Sequence, residues 1–140
     1  MRAARDETPG RRKAPTPLLV KLAPDLSLED LRESLTAAMD AGTDGIIATN
    51  TTLGRDGLKS PQATETGGLS GAPLTARSLD MLREILCFTG GRLPVISVGG
   101  VMSAEHAQAR IDAGASLVQL YTGLVYGGPG LPRRIIEALA

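Results

Sequence analysis

Tryptophan is absent, and the aromatic complement is one phenylalanine, Phe88, and two tyrosines, Tyr121 and Tyr126. A core built from this chain must be aliphatic, which suits the packing of parallel α/β structure. A lone cysteine, Cys87, excludes an intrachain disulfide and a multi-thiolate metal centre, and a reduced compartment is the simple expectation. Cys87 falls in a helical pattern, where a packed small apolar residue is expected. No apolar run reaches the roughly 18 residues of a bilayer-spanning helix. Charge excess is missing too: 15 Lys+Arg balance 15 Asp+Glu, so no basic field points to nucleic acid. The motifs contain no paired carboxylates, histidine-rich site or Cys–His dyad, which argues against metal hydrolysis and cysteine catalysis. The only histidine, His106, has polar neighbours and is expected at the surface.

What the chain does have is a repeated strand-then-helix rhythm. Residues 1–16 are polar, with Pro9, Gly10, Pro15 and a basic Arg11-Arg12-Lys13 run, and read as a flexible lead-in. An apolar run between Pro17 and Pro24 predicts the first strand. Ser27 then caps a helix to Ala41 with Leu28, Leu31, Leu35 and Ala38 on one stripe. Residues 45–49 form a second strand, followed by a long glycine-containing connection from Leu53 to Leu74. Such a length in a compact α/β domain suggests a lid or binding loop. A helix over 77–88 turns Leu79, Leu82, Ile85 and Leu86 inward. Strand 94–98 ends in Gly99-Gly100, and Ser103 caps a helix with Ala104, Ala107 and Ile111 inward, stopped by Gly114. Strand 117–121 and a short helix over 131–139 complete the order.

Four such units predict right-handed parallel crossovers and an α/β fold equal to half of an eight-stranded (β/α)₈ barrel, about four parallel strands with covering helices. Strand alternation sets Leu19, Lys21 and Ala23 opposite to Leu18, Val20 and Leu22. It predicts a polar inner face of Lys21, Thr49, Ser97 and Gln119. An inward lysine among apolar neighbours needs an anionic or hydrogen-bonding partner. The candidates for chemistry lie at the carboxyl ends of the strands, where barrel active sites are built. They are Lys21; Thr49-Asn50-Thr51; Gly99-Gly100; and Tyr121-Thr122-Gly123. Asn50 can read a heterocycle or carboxamide through its donor and acceptors. The two small-residue turns can cradle a phosphate.

At these residues the sequence resembles a known family. VKLAPDL (20–26), ATNTTLGR (48–55), ETGGLSGAPL (65–74), SVGGVMSAEHA (97–107) and GASLVQLYTGLVYGGP (114–129) are similar to the carboxyl-terminal half of class 2, quinone-dependent dihydroorotate dehydrogenase. The resemblance spans residues 17–140 and implies an FMN-binding half-barrel. The family oxidises dihydroorotate to orotate in pyrimidine synthesis, with a quinone as acceptor. By resemblance, Lys21, Thr49, Gly71, Gly100, Tyr121 and Thr122 contact FMN, the last three around its phosphate. Lys21 would stabilise the reduced, anionic ring. Asn50 and Thr51 would hold the substrate ring. No metal is implied.

The resemblance also defines what these residues do not match. The family's first four strands, its serine base, its further substrate asparagines and the amphipathic helices of the quinone entrance have no counterpart motifs. Ser70, Ser97 and Ser103 stand in other motifs. The expectation is a fragment, with Met1 a false start, that does not turn over alone. Its complete enzyme would sit peripherally on the cytoplasmic face of the membrane, contacting it only through those helices, while the fragment itself would be soluble. Two alternatives stay open: a non-catalytic half-barrel that binds phosphate or FMN and needs a partner, and another FMN-dependent barrel oxidoreductase.

Overall fold

A computed structural model describes residues 16–140. The lead-in expected over residues 1–16 therefore lies, apart from Thr16, outside the described residues. Four short strands, β1 (Leu19–Leu22), β2 (Gly45–Ala48), β3 (Val95–Val98) and β4 (Leu117–Gln119), form one sheet in the order β1-β2-β3-β4. All three pairings are parallel. The helices are α1 (Leu28–Asp40), α2 (Thr75–Thr89), α3 (Ala104–Asp112), α4 (Thr122–Gly127) and α5 (Leu131–Leu139), with 3-10 turns at Pro61–Thr64 and Ala72–Leu74. This is the partial (β/α) barrel segment that the strand–helix rhythm predicts.

The helix starts follow from local chemistry. Ser27 Oγ accepts the Asp30 N–H at 3.1 Å, and Glu29 and Asp30 sit at the positive end of α1. Ser103 Oγ accepts the His106 N–H at the start of α3. Gly90, at φ 61°, closes α2 in the left-handed conformation that a glycine adopts without strain. The short α4 is the helix the sequence pattern misses: its six residues include two glycines and lack a side-chain cap.

The register divides the sheet into two faces. Leu22, Ala48 and Ser97 are aligned across the strands, as are Val20, Ile46 and Val95. This face is covered by helices. Ile46, Ala48 and Val95 pack with Leu31 and Leu35 of α1 and Met81, Leu82 and Ile85 of α2 in an aliphatic core. The opposite face carries the aligned row Lys21, Ile47, Ile96 and Leu117. Lys21 is exposed, Ile47 and Ile96 are half-buried, and Leu117 is 60% exposed. A smaller cluster of Val101, Ala107, Leu131 and Ile135 joins α3 to α5.

Four expectations about burial are corrected. Ser97 belongs to the helix-covered face, because its register partner is Ala48; it is fully buried. The inward residue of α3 after Ala107 is Arg110, whereas Ile111 is 41% exposed. Cys87 is exposed, because the buried stripe of α2 runs through Ser78, Met81, Leu82, Ile85 and Thr89. Leu28 likewise lies at the rim, 46% exposed, while Leu31, Leu35 and Ala38 hold the stripe of α1. Among the described residues, no helix is long and apolar enough to cross a membrane.

Candidate functional site

The carboxyl ends of all four strands open into one cavity of about 110 Å³. Lys21 enters it from β1, Thr49, Asn50 and Thr51 from the end of β2, and Gly99, Gly100 and Val101 from the turn after β3. Gln119, Tyr121, Thr122 and Gly123 come from the end of β4 and the start of α4, and Ser70 and Gly71 from the long connection. The nine strand-end candidates and Gly71 therefore line one cavity. The ordering of the strands explains this: parallel strands point their carboxyl ends the same way, so each following turn lands on the same rim. Lys21 is exposed rather than buried among apolar neighbours, because its face of the sheet is uncovered. Among the described residues it takes part in no ion pair.

Thr49 is 2% exposed and follows a cis peptide bond. Its N–H donates to the Val98 carbonyl at 2.7 Å, and its hydroxyl to the Asn50 carbonyl at 2.9 Å. Asn50 is anchored by its own N–H, which donates to the Leu22 carbonyl at 2.8 Å, so its exposed side chain projects from a fixed backbone.

The turn after β3 is held from behind. Ser78 Oγ donates to the Gly99 carbonyl at 2.7 Å, and Thr75 Oγ1 donates to the Gly100 carbonyl at 2.7 Å. Arg110 adds a second donor to Gly99 through Nη2 at 3.1 Å. In a planar trans peptide the N–H points opposite to the C=O. With both carbonyls drawn back toward the helices, the N–H groups of Gly100 and Val101 turn the other way, on the side where Gly99, Gly100 and Val101 line the cavity. Neither N–H has a backbone acceptor among the described residues. The arrangement is a pair of oriented donors suited to an anion. Across the cavity, the Thr122 hydroxyl donates to Ser70 Oγ at 2.9 Å. Gly71 lies against Thr122 at φ +81°, where a Cβ would come within 2.9 Å of the threonine methyl.

The long connection is a double limb tied by hydrogen bonds. Thr52 and Leu69 exchange backbone hydrogen bonds at 3.0 and 2.8 Å. The Arg55 guanidinium bridges the limbs, donating to the carbonyls of Thr52, Leu53 and Gly54 on one side and of Glu65 and Gly67 on the other. At its base, the Asp25 carboxylate accepts from Thr52 Oγ1 and from the Leu53 N–H at 2.8 Å. Arg77 Nη2 lies 3.2 Å from the same carboxylate, and Arg77 Nε donates to the Pro24 carbonyl at 2.8 Å. The Thr52 hydroxyl, the Leu53 N–H and the Arg77 charge together hold the Asp25 carboxyl below its ordinary pKa.

That depression sets a sign. A lowered folded-state pKa contributes stability above the unfolded value, about 3.9, and loses it as pH falls through the folded one. The Leu53 amide signal should therefore move as the solution is acidified below about pH 4. At neutral pH, Asp25→Asn should speed tryptic cleavage at Arg55 and Lys59. A Leu53 signal indifferent to pH and an unchanged cleavage rate would remove the clamp.

Sequence reasoning missed Asp25, Arg55, Arg77, Ser78 and Arg110 as parts of the site. Their partners are carbonyls and hydroxyls distant in sequence, so no local period marks them. Arg110 breaks an apolar stripe at the position three after Ala107, and that break was the available signal.

A model of the family described as dihydroorotate dehydrogenase matches residues 6–140. A dihydroorotate dehydrogenase (quinone) of Anaeromyxobacter sp. (strain Fw109-5) is 55% identical over 137 residues, covering 97% of this chain and 36% of that protein. Its counterpart in Azotobacter vinelandii is 48% identical, covering 100% of this chain and 41% of that protein. Among solved structures, DHODH from Eimeria tenella in complex with ferulenol superposes with a TM-score of 0.85 at 42% identity, covering 89% of this chain and 33% of that one. The chain thus spans about a third of the length of the first curated relatives it matches.

Proposed function

Because the chain belongs to the dihydroorotate dehydrogenase family, we propose that it is the flavin-binding, carboxyl-terminal part of a quinone-dependent dihydroorotate dehydrogenase. Together with the rest of the barrel it oxidises dihydroorotate to orotate in pyrimidine synthesis. One observation carries this reading: Lys21, Thr49, Asn50, Thr51, Gly71, Gly100, Tyr121 and Thr122, drawn from separate stretches of the chain, line a single cavity.

The residues present fit FMN. The cavity takes a phosphate-sized group, and the Gly100 and Val101 N–H donors supply hydrogen bonds for phosphate oxygens, beside Thr122, whose hydroxyl proton goes to Ser70 Oγ. Lys21 stands on the open side, where a ring system would extend, as a cation without an ion-pair partner among the described residues. When bound, FMN would supply the acceptor for the hydride from carbon 6 of the substrate. Asn50 and Thr51 offer a carboxamide and a hydroxyl to the polar edge of the dihydropyrimidine ring, holding it in one orientation. The proton on carbon 5 needs a base. Among the described residues no histidine or carboxylate lines the cavity, and Ser70 Oγ accepts the Thr122 hydroxyl. We assign the base to a segment beyond residues 16–140, along with quinone entry and peripheral membrane contact. This chain alone should bind FMN but not turn over.

The test is reconstitution of the chain with FMN, followed by gel filtration with absorbance at flavin wavelengths. Co-eluting flavin supports the reading; a folded but colourless chain after saturation with FMN sinks it. A flavin-free dimer would instead favour a non-catalytic half-barrel, a reading to which the uncovered row of Lys21, Ile47, Ile96 and Leu117 lends weight. Lys21→Ala should leave the circular dichroism unchanged and favour oxidised over reduced flavin by roughly tenfold, a fall in midpoint potential of about 30 mV. An unmoved potential would take Lys21 out of this role.

A further inference from the structure

Arg110 is the largest fully buried side chain among the described residues, 1% exposed. Its guanidinium donates to Ser97 Oγ at 3.4 Å, to the Thr75 carbonyl at 2.7 Å and to the Gly99 carbonyl at 3.1 Å. Every acceptor is neutral. The ion pairs among the described residues join Arg77 to Asp25, Arg83 to Asp80 and Arg133 to Glu137, and Arg110 is in none of them. Removing a guanidinium from water without a counter-charge is costly, and a protein normally pairs it. Desolvation accordingly pulls the pKa of Arg110 down, while Asp80, itself engaged with Arg83, pulls it only partly back.

The position of this charge gives it a use. It sits on the carbonyl side of the Gly99–Gly100 peptide, and the N–H of the same peptide turns to the cavity. A cation on a carbonyl oxygen polarises the peptide and strengthens the donor at its other end. Thr75 links the same elements: its carbonyl accepts from Arg110 and its hydroxyl donates to the Gly100 carbonyl.

We propose that Arg110 is a positioning residue for a phosphate monoester held on the turn after β3: it fixes the turn so that the Gly100 and Val101 N–H groups face the cavity, and it supplies the buried positive charge that the bound dianion balances. The proposal rests on the FMN reading above for the identity of the ester. Arg110 touches the ligand only through the peptide, so its effect belongs to the phosphate and not to the ring.

FMN and riboflavin differ by that phosphate. With the full chain, wild type should bind FMN more tightly than riboflavin, and Arg110→Met should cut the preference at least roughly tenfold while leaving riboflavin affinity unchanged. Arg110→Lys, which keeps the charge, should retain more of the preference than the methionine variant. Equal losses in both variants, an undiminished preference in Arg110→Met, or a wild type that binds both flavins equally would each overturn the proposal. Should Arg110→Met fail to fold, the guanidinium ¹⁵N–¹H signals of wild-type Arg110 decide. They should move on titration with inorganic phosphate and stay still with riboflavin; signals indifferent to phosphate overturn the proposal. A wild type that takes up neither flavin, yet whose Arg110 signals respond to phosphate, would defeat the FMN reading and leave this one standing.

Discussion

Gly100→Ala is expected to destroy both the anion site and most of the stability of the β3–α2 junction. Gly100 has φ +70°, a conformation that costs an alanine about 1–2 kcal/mol by itself. Its Cβ would also fall 2.6 Å from Thr75 Oγ1 and closer still to the Thr75 backbone. Backbone at the first turn of a helix cannot step aside as a flexible side chain can. The turn must move, and with it go the Thr75 and Arg110 bonds that orient the donors. A loss of roughly 3 kcal/mol or more is expected, the range of overpacking added to backbone strain. Gly57→Ala is the internal control, because Gly57 has φ +77° but nothing within 4 Å of the added carbon. It should lose only the conformational part. Urea denaturation followed by circular dichroism compares the two. Equal losses would mean that the close approach at Thr75 is not the determinant.

Leu82→Ala is expected to be the other severe change. Leu82 is fully buried on α2, in the core shared with α1 and the helix-covered face of the sheet. Truncating a buried leucine costs about 2–5 kcal/mol, through lost transfer energy and the cavity left behind. Net stabilities of natural domains are about 5–15 kcal/mol, so this single change threatens the fold. Leu117→Ala removes the same atoms from a side chain that is 60% exposed and should change stability by well under 1 kcal/mol. If the two variants melted together, the helix-covered face would not be the core.

Much of this fold was legible in the residues. The stripe of Leu31, Leu35 and Ala38, the caps at Ser27 and Ser103, and the strand runs bounded by prolines and glycines each depend on neighbours in sequence. The strand ends located the site for the same reason: a parallel strand–helix rhythm puts every following turn on one rim. Where the fold departs from the pattern, the cause is a partner distant in sequence. A polar residue in a strand is ordinarily assigned to the open side, but here Arg110 reaches Ser97 from α3 on the covered face. An aliphatic residue near Ala107 outranks an arginine by sequence alone, yet the carbonyls of Thr75 and Gly99 draw Arg110 inward and leave Ile111 exposed. The clamp of Asp25, Thr52 and Arg77 joins three segments whose meeting no period announces. The family resemblance pointed to the residues at the rim, and the supports behind them became visible only in three dimensions.

The double limb between β2 and β3 also bears on how the sheet assembles. Ile47 and Ile96, partners across the middle of the sheet, are about twice as far apart in sequence as the partners on either side, Lys21 with Ile47 and Ile96 with Leu117. Loop-closure entropy rises with the logarithm of length, and a doubling adds about 0.6 kcal/mol to bringing the ends together. The Thr52–Leu69 bridge, with Arg55 across it, draws the intervening residues into a short detour. With that bridge formed first, the central pairing would span about two thirds of its sequence separation, trimming roughly a few tenths of a kcal/mol from the cost of joining the two halves of the sheet.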